Sequence, residues 1–261
     1  MSNFFWNETQ MAAAGANPSI LAFGDSWFWY PFFGGSLTNH LGKIVAPKSH
    51  VILAKGMNGA EVFDYVDGKY AESVRVALKL YGSGLYAVFI SGGGNDFAGF
   101  NDMRPLLKPS CAAETTAKGC FRDGTQGLPG FLDRMDTYYR KLIGVVYTRT
   151  PLNCMIIMHS YDYAIPDGKG VFGKEGWLQP ALAAAGVKPS LQQACVIYLL
   201  DAFYKVLKDI TQMDPAHLHV VDSRGTLGPD DWANELHPKG SGFKKIAEKC
   251  WRPVLKNINL A

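Results

Sequence analysis

The sequence predicts a single three-layer α/β/α domain, spanning residues 1–261, around a five-stranded parallel sheet. Three observations support this prediction. Short apolar runs alternate with segments of helical periodicity, no hairpin signal joins consecutive runs, and neither a linker nor an internal repeat divides the chain. Strands that alternate with helices form parallel sheets covered on both faces, because right-handed crossovers place the helices around one sheet.

The predicted strands are the apolar runs at 20–23, 50–54, 86–90, 154–158 and 217–221. The predicted helices, with apolar residues at helical spacing, are 36–45, 60–66, 71–81, 131–147, 190–210 and 241–260. Ser36 and Ser190 are the expected N-caps of two helices, since serine hydroxyls satisfy free N–H groups at helix starts. Residues 1–18 are polar and Ala-rich and are expected to be a loosely held lead-in.

Two long segments without a clean period interrupt this pattern, at 97–130 and 161–189. Both are rich in glycine and polar residues, and loops of this length inside a compact domain are often functional. Each follows the carboxyl end of a predicted strand. We therefore expect both insertions near the active site, as a lid or as substrate-facing loops.

The charge balance and hydropathy exclude several classes of function. With 26 Lys and Arg against 23 Asp and Glu, the net charge is only +3 and the basic residues are scattered, so no nucleic acid is expected as a partner. No apolar run reaches the roughly 18 to 20 residues of a transmembrane segment. The amino terminus lacks the pattern of a signal peptide, so we expect a cytoplasmic protein or one exported without a conventional leader.

Nothing in the sequence indicates a metal or another cofactor. The 5 cysteines are an odd number without a CxxC pair, and no spacing of His, Cys and Asp suggests a zinc site. The glycines at 92–94 lack the surrounding pattern of a phosphate-binding loop. Cys111 and Cys120 are near enough in sequence for a disulfide in an oxidising compartment, and free thiols are equally compatible with their positions.

Ser26 is the first candidate for chemistry. It follows an apolar run and Gly24, which allows a tight turn because it has no Cβ. Ligands of open parallel sheets gather outside the carboxyl ends of the strands, where this serine is expected. Gly24, Asp25 and Ser26 are also common turn formers, so a plain turn is the alternative interpretation.

Four loops are expected to meet at this edge and to bring Ser26, Gly59, Asn95 and His237 together. A serine becomes a nucleophile when a histidine takes its proton, and the histidine later protonates the leaving group. The backbone N–H groups of Ser26 and Gly59, with the Asn95 amide, would stabilise an oxyanion. Together these residue types are compatible with catalysis by a serine nucleophile.

Sequence blocks surround these residues, in the order Gly24-Asp-Ser-Trp27, Asn58-Gly-Ala-Glu-Val62, Gly93-Gly-Asn-Asp96 and Asn234-Glu-Leu-His-Pro238. With these blocks the chain resembles the SGNH, or GDSL-type, hydrolase family of esterases and lipases. The resemblance implies that Ser26 is the nucleophile, that Gly59 and Asn95 belong to the oxyanion hole, and that His237 is the base. It also implies a flavodoxin-like strand order.

The last block departs from the family pattern, which has an aspartate three residues before the histidine where this chain has Asn234. An asparagine oxygen accepts a hydrogen bond from the imidazole Nδ1–H and orients the ring, but it supplies no negative charge. Asp231 and Glu235 are nearby alternatives, and we favour Asn234 as the orienting residue. The expected consequence is a slow enzyme or one that relies on a Ser-His dyad.

Trp27, His159 and Tyr161 are predicted to contact substrate. The aromatic run 27–33 is compatible with core packing or with an acyl or sugar pocket. Asp162 is compatible with either a structural or a functional role. Structural roles are predicted for His40, His50, His217, His219, Asp25 and Asp96.

The leading hypothesis is a serine carboxylic-ester hydrolase that needs no cofactor and acts through an acyl-enzyme. Lipid esters, including lysophospholipids, are the first expected substrates because of the aromatic residues and the two insertions. An acetylated carbohydrate or cell-wall glycan is the second. A hypothesis from another class is a binding or interaction module whose activity was weakened by Asn234, since a fold alone does not establish function. No partner protein is indicated.

Overall fold

A computed structural model describes residues 3–30 and 34–261, in which a parallel sheet forms the centre. It has six strands in the order β1-β3-β2-β4-β5-β6. In chain order they are β1 (Phe4–Phe5), β2 (Ile20–Gly24), β3 (Ile52–Ala54), β4 (Ala87–Ser91), β5 (Met155–His159) and β6 (Leu218–Val221). All five predicted strands are present, and their order is the expected flavodoxin-like one, so the predicted α/β fold class is confirmed.

The count of five strands was wrong, because the amino-terminal segment adds a sixth. Phe4 pairs in parallel with Ile52 at the edge of the sheet. A short helix, α1 (Glu8–Ala13), follows, and the Asn7 side chain caps it by accepting a hydrogen bond from Gln10 N at 2.9 Å. Two residues are too few to show a period in the sequence. They form a strand because they pair with the edge of β3.

The remaining helices are α2 (Leu37–Val45), α3 (Val62–Val66), α4 (Ala71–Tyr81), α5 (Gly94–Phe97), α6 (Phe100–Leu106), α7 (Ala117–Cys120), α8 (Leu128–Tyr147), α9 (Gln179–Ala184), α10 (Pro189–Thr211), α11 (Gly240–Ile246) and α12 (Arg252–Asn257). A π-helical turn, Ala247–Trp251, joins α11 to α12. Ser36 is at the N-cap of α2, as predicted. Ser190 is not a cap, because α10 begins one residue earlier at Pro189, whose fixed φ suits the first helical position.

Helices cover both faces of the sheet and form the two outer layers of the fold. On one face, Phe89 of β4 packs against Trp251 with ring centroids 5.0 Å apart. On the other, Phe23 of β2 packs against Tyr65 of α3 at 6.3 Å. The register pairs Phe89 with Ala22, so Phe23 points to the opposite side. The strands are buried throughout their length, except at the ends and within β6, as expected of a parallel sheet.

The two insertions are more ordered than predicted. The segment 97–130, expected to be without regular structure, contains α6, α7 and the start of α8. The segment 161–189 contains α9, which packs against α6. Cys111 N also donates to Ala185 O at 2.7 Å, so the insertions support each other. Their short helices are stabilised by this mutual packing, and helices of this length have little stability of their own.

Among residues 3–30 and 34–261, no helix combines the length and apolar character needed to cross a bilayer. The same residues contain no cluster of His, Cys, Asp and Glu arranged to hold a metal ion. Cys111 and Cys120 are both buried free thiols, so the structure has no disulfide at this position.

Candidate active site

Ser26 and His237 meet at the carboxyl edge of the sheet, with Ser26 Oγ 2.8 Å from His237 Nε2. Ser26 lies in the turn after β2, and His237 lies in the loop that precedes α11. The turn depends on Gly24, where a Cβ would lie 2.8 Å from Ser91 O and 2.7 Å from the Phe28 ring. This pair is separated by 211 positions in the chain, so only the tertiary fold makes the contact.

Asn234 faces the other ring nitrogen of His237. Its Oδ1 lies 3.0 Å from His237 Nδ1 and also accepts from the backbone N–H groups of Leu236 at 3.0 Å and His237 at 2.9 Å. Asp231 does not compete, because its carboxylate pairs with Lys245 at 2.7 Å. Of the alternatives considered from the sequence, the structure therefore brings Asn234 to the imidazole.

Glu235 was considered for the same role, and the structure gives it another one. Its buried carboxylate accepts hydrogen bonds from the backbone N–H groups of Gly168 (2.8 Å), Trp177 (2.5 Å), Leu178 (2.7 Å) and Gln179 (3.0 Å). The last donors belong to the start of α9, where a negative charge is favourable. Glu235 thus ties the second insertion to the loop of His237.

Two aromatic residues that the sequence did not single out surround the imidazole. Tyr30 stacks on His237, with ring centroids 4.5 Å apart and an angle of 17° between the planes. Trp177 approaches at 5.8 Å and 79°. Burial in this environment lowers the pKa of His237 to about 4, so the ring is neutral at neutral pH. Tyr30 belongs to the aromatic run 27–33, of which residues 31–33 lie outside the described residues.

Hydrogen bonds connect the segments that carry two of the predicted oxyanion donors, Gly59 and Asn95. From α5, Asn95 Nδ2 donates to Ala60 O at 2.9 Å and keeps a second hydrogen for another acceptor. Asp96, also in α5, accepts from Val62 N at the start of α3 at 3.0 Å. In the described part of the chain, neither Ser26 nor Gly59 uses its N–H in a hydrogen bond to another backbone group. Gly59 is exposed and has φ +74°, a conformation that favours glycine.

Asp25 holds the turn of Ser26 and does not contact His237. It is 1% exposed, accepts from Trp27 N at 3.0 Å and from the Tyr161 hydroxyl at 2.5 Å. Burial raises the pKa of Asp25 to about 6. Asp162 has a similar role, since it accepts from backbone N–H groups of the loop after β6, among them Leu227 at 2.6 Å.

A narrow cavity of about 20 Å³ opens beside Ser26. Its wall includes the predicted substrate contacts Trp27 and Tyr161, together with Asn95. It does not include Gly59 or His159. The lining residues are Asp25, Ser26, Trp27, Gly94, Asn95, Phe97, Tyr161, Asp162, Ala164, Leu200 and Leu236.

His159 is not brought to the site, although it ends β5 at the correct edge. It is fully buried, its Nε2 lies 3.2 Å from Ser223 Oγ, and its ring packs against Trp27 at 5.2 Å. Burial lowers the pKa of His159 to about 3. His159 therefore packs against Trp27 and lies outside the cavity wall, and its contact with substrate stays a prediction.

Comparison with solved structures shows the same fold over nearly the whole chain. The extracellular lipase from Streptomyces rimosus has a TM-score of 0.53 at 16% identity, covering 92% of this chain and 99% of the lipase. Phospholipase A1 from Streptomyces albidoflavus NA297 has a TM-score of 0.53 at 14% identity, covering 93% and 99%. A Parabacteroides merdae ATCC 43184 protein classed as a GDSL-like lipase has a TM-score of 0.51 at 14% identity, covering 94% and 98%.

No protein-family model matches the sequence, and neither does any curated protein. At these low identities the structural likeness establishes the fold. The chain therefore has the α/β/α fold of these three structures, which is the fold class predicted from the sequence.

Proposed function

We propose that this protein is a serine carboxylic-ester hydrolase that works through an acyl-enzyme. The observation that carries the proposal is the 2.8 Å contact between Ser26 Oγ and His237 Nε2, made at the carboxyl edge of a parallel sheet. This is hydrogen-bond distance between a nucleophile and a base, and the base is itself oriented by a third side chain. The fold shared with a lipase and a phospholipase A1 agrees with this chemistry.

In the first step, Ser26 Oγ attacks the ester carbonyl carbon while His237 Nε2 takes the hydroxyl proton. The carbonyl oxygen becomes an oxyanion, which the N–H groups of Ser26 and Gly59 and the Asn95 amide stabilise. The carbon–oxygen bond to the alcohol then breaks, and His237 returns its proton to the leaving oxygen. Water activated by His237 attacks the acyl group on Ser26, and the acid leaves as the serine regains its proton.

Lipid or lysophospholipid esters remain the first substrate class, on the aromatic character of the site and the likeness to lipases. One observation favours a short acyl group, and with it the O-acetyl carbohydrate. The cavity beside Ser26 has about 20 Å³, which is roughly the room for one water molecule or a methyl group. A long acyl chain would have to lie outside this cavity or displace its walls.

A fluorophosphonate probe tests the proposal, because it labels only an activated serine. We expect labelling of the unsubstituted protein and none of Ser26→Ala. A folded protein that takes no label at Ser26 would instead support the binding-module hypothesis.

A panel of p-nitrophenyl esters from acetate to palmitate tests the substrate class. Preference for acetate supports an O-acetyl esterase, and preference for the long chains supports a lipid substrate.

A further inference from the structure

A second and much larger pocket lies beyond the carboxyl end of β3. Ala54, the last residue of that strand, and the segment Lys55–Met57 that follows it belong to the pocket wall. The pocket has a volume of about 290 Å³, against about 20 Å³ for the cavity beside Ser26. Because β3 is the neighbour of β2 in the sheet, both lie at the edge where α/β sheets bind ligands.

Backbone contacts join this second pocket to the turn that carries Ser26. Met57, in the pocket wall, donates its N–H to Gly24 O at 2.9 Å, and Gly24 precedes Ser26 in that turn. Gly56 approaches the same turn so closely that an added Cβ would lie 2.9 Å from Trp29 Cβ and 3.0 Å from Gly24 O. A ligand in this pocket therefore lies beside the turn of the nucleophile.

Three partly exposed aromatic rings line the pocket, those of Trp6, Trp29 and Tyr70. The rings of Trp6 and Trp29 have centroids 5.5 Å apart and an angle of 76° between their planes, so they form two walls of a corner. The Lys69 ammonium lies 4.8 Å from the centroid of Tyr70, so that ring already has a cation. Aromatic walls of this kind bind quaternary ammonium groups, and tryptophan attracts cations most strongly.

An ion pair supplies the charges of the pocket. Lys55 Nζ lies 2.7 Å from Glu8 Oε1, and the two side chains are 20% and 41% exposed, so both reach solvent. Of the described residues that line the pocket, only these two are charged, and their charges cancel. The ammonium has three donors and the carboxylate has a second oxygen, so each can still bind a ligand group of opposite charge.

Aromatic walls beside one anion and one cation fit a zwitterion that carries a quaternary ammonium group. We propose that this pocket binds the phosphocholine head group of a lysophospholipid substrate. The trimethylammonium group lies against Trp6 and Trp29, near the Glu8 carboxylate, and the phosphate accepts hydrogen bonds from Lys55. The inference rests on the proposed ester hydrolysis, because a head group held here presents its ester to Ser26.

Titration calorimetry on the Ser26→Ala protein measures head-group binding without hydrolysis. Phosphocholine should bind, and phosphoethanolamine should bind roughly 5-fold more weakly, because its ammonium lacks the methyl groups that contact the rings. Trp6→Leu or Trp29→Leu, added to this background, should weaken phosphocholine binding roughly 10-fold. Tyr86→Leu is the matched control, since it removes a 60% exposed ring at the opposite end of the sheet, and it should leave the Kd unchanged.

Two further variants separate the charges of the ligand. Glu8→Gln should weaken choline and phosphocholine alike, roughly 3- to 5-fold, because it removes the anion beside the ammonium group. Lys55→Met should weaken phosphocholine by a similar factor and should not weaken choline, which has no phosphate.

A kinetic test compares two esters of the same acid. In Trp6→Leu, the ratio of kcat/KM for lauroyl-lysophosphatidylcholine to kcat/KM for p-nitrophenyl laurate should fall roughly 10-fold, because only the first ester carries the head group. Trp6→Phe keeps an aromatic wall, so the ratio should fall less. An equal ratio in all three proteins would contradict the inference.

Two binding results would also overturn it: no phosphocholine binding by the folded Ser26→Ala protein, or equal binding after Trp6→Leu and Trp29→Leu. Preference for the neutral sugar xylotetraose over phosphocholine would overturn it too, in favour of a carbohydrate substrate. Thermal unfolding shows whether each variant is folded, and if the leucine variants are not, Glu8→Gln and Lys55→Met decide.

The failure of this inference is distinguishable from the failure of the proposed function. If the fluorophosphonate probe leaves Ser26 unlabelled while phosphocholine binds, ester hydrolysis is wrong and the pocket keeps its ligand. If the probe labels Ser26 and phosphocholine does not bind, hydrolysis stands and the head-group pocket is wrong.

Discussion

The turn that carries Ser26 and the loop that carries His237 differ in how they use their acidic residues. In the turn, the carboxylate of Asp25 lies next to Ser26 in sequence and accepts hydrogen bonds from Trp27 N and the Tyr161 hydroxyl. In the loop, Glu235 turns its carboxylate away from the histidine and holds four N–H groups of the second insertion, while the neutral Asn234 faces the ring.

In both regions the buried carboxylate stabilises the loop, and the side chains that meet between the regions, Ser26 and His237, are neutral. The difference lies in what each carboxylate holds. Asp25 accepts from one backbone N–H group of its own turn and from the side chains of Tyr161 and Ser91. Glu235 accepts instead from four backbone N–H groups of the second insertion. Burial lowers the pKa of His237 to about 4, so the ring is neutral at neutral pH. In the proposed mechanism, the charge that develops on the ring has no carboxylate beside it for stabilisation.

The largest expected effect comes from replacing Ser26 of the turn or His237 of the loop. Ser26→Ala should lower kcat for a p-nitrophenyl ester by about 10⁵- to 10⁶-fold, because the nucleophile is removed. His237→Ala should lower it comparably, and the double variant should be no worse than either single one, because the two act as a unit. Additive losses measured by steady-state kinetics would contradict the paired role.

Removing the charge of Glu235 probes the loop of His237. Glu235→Gln should reduce the free energy of unfolding by about 2–4 kcal/mol, since a buried carboxylate that accepts four hydrogen bonds is replaced by a group with one acceptor. Urea unfolding measures this loss, and limited proteolysis should find new cleavage in 161–189. Glu175→Gln, on an exposed residue of the same insertion, is the control and should change neither.

The pH dependence of activity probes the neutral partner of the imidazole. Because the pKa of His237 is about 4, kcat/KM should stay level from neutral pH down to about pH 5 and fall as His237 gains a proton near pH 4. Asn234→Asp should raise that pKa and move the acidic limb of the profile upward, since it adds an anion at Nδ1. An unchanged limb would show that another group controls the profile.

The lowered pKa of His237 also makes the stability of the fold depend on pH. The pKa of His237 lies below the value of about 6.5 for an unfolded histidine, so the unfolded chain binds more protons between these values. His237 therefore lowers stability as pH falls from about 6.5 to about 4. Asp25 acts oppositely, because its raised pKa of about 6 means that the native state binds the extra proton, and its destabilisation develops as pH rises from about 4 to about 6.

The smallest effect is expected at Asp231, the acidic residue that the sequence offered as an alternative partner. Its carboxylate pairs with Lys245 at 2.7 Å and accepts from Gly228 N at 2.8 Å, near the surface. Asp231→Asn should change the free energy of unfolding by less than about 1 kcal/mol and kcat by less than about 2-fold. A loss of kcat near that of His237→Ala would reassign the orienting role.

The sequence predicted the five central strands well, and it predicted the edge strand and the insertions poorly. The strands β2 to β6 are apolar runs followed by turn residues, and this local pattern is enough to identify a buried strand. The strand β1 and the helices of the first insertion were missed, because each is stabilised by neighbours distant in sequence. His159 lies at the expected edge but is fully buried against Trp27 and outside the cavity wall, which the end of an apolar run does not reveal.

By itself, the sequence determined the α/β class, the strand order implied by its four blocks, and the set Ser26, Gly59, Asn95 and His237 as the residues to examine. The tertiary structure decided which residue of the last block faces the imidazole, what Glu235 binds, and that Tyr30 stacks on the ring. The physical reason is the range of the interactions. Periodicity and turn chemistry act between neighbours in the chain, whereas a buried amide, carboxylate or aromatic ring takes its role from partners that only folding brings within hydrogen-bond or van der Waals distance.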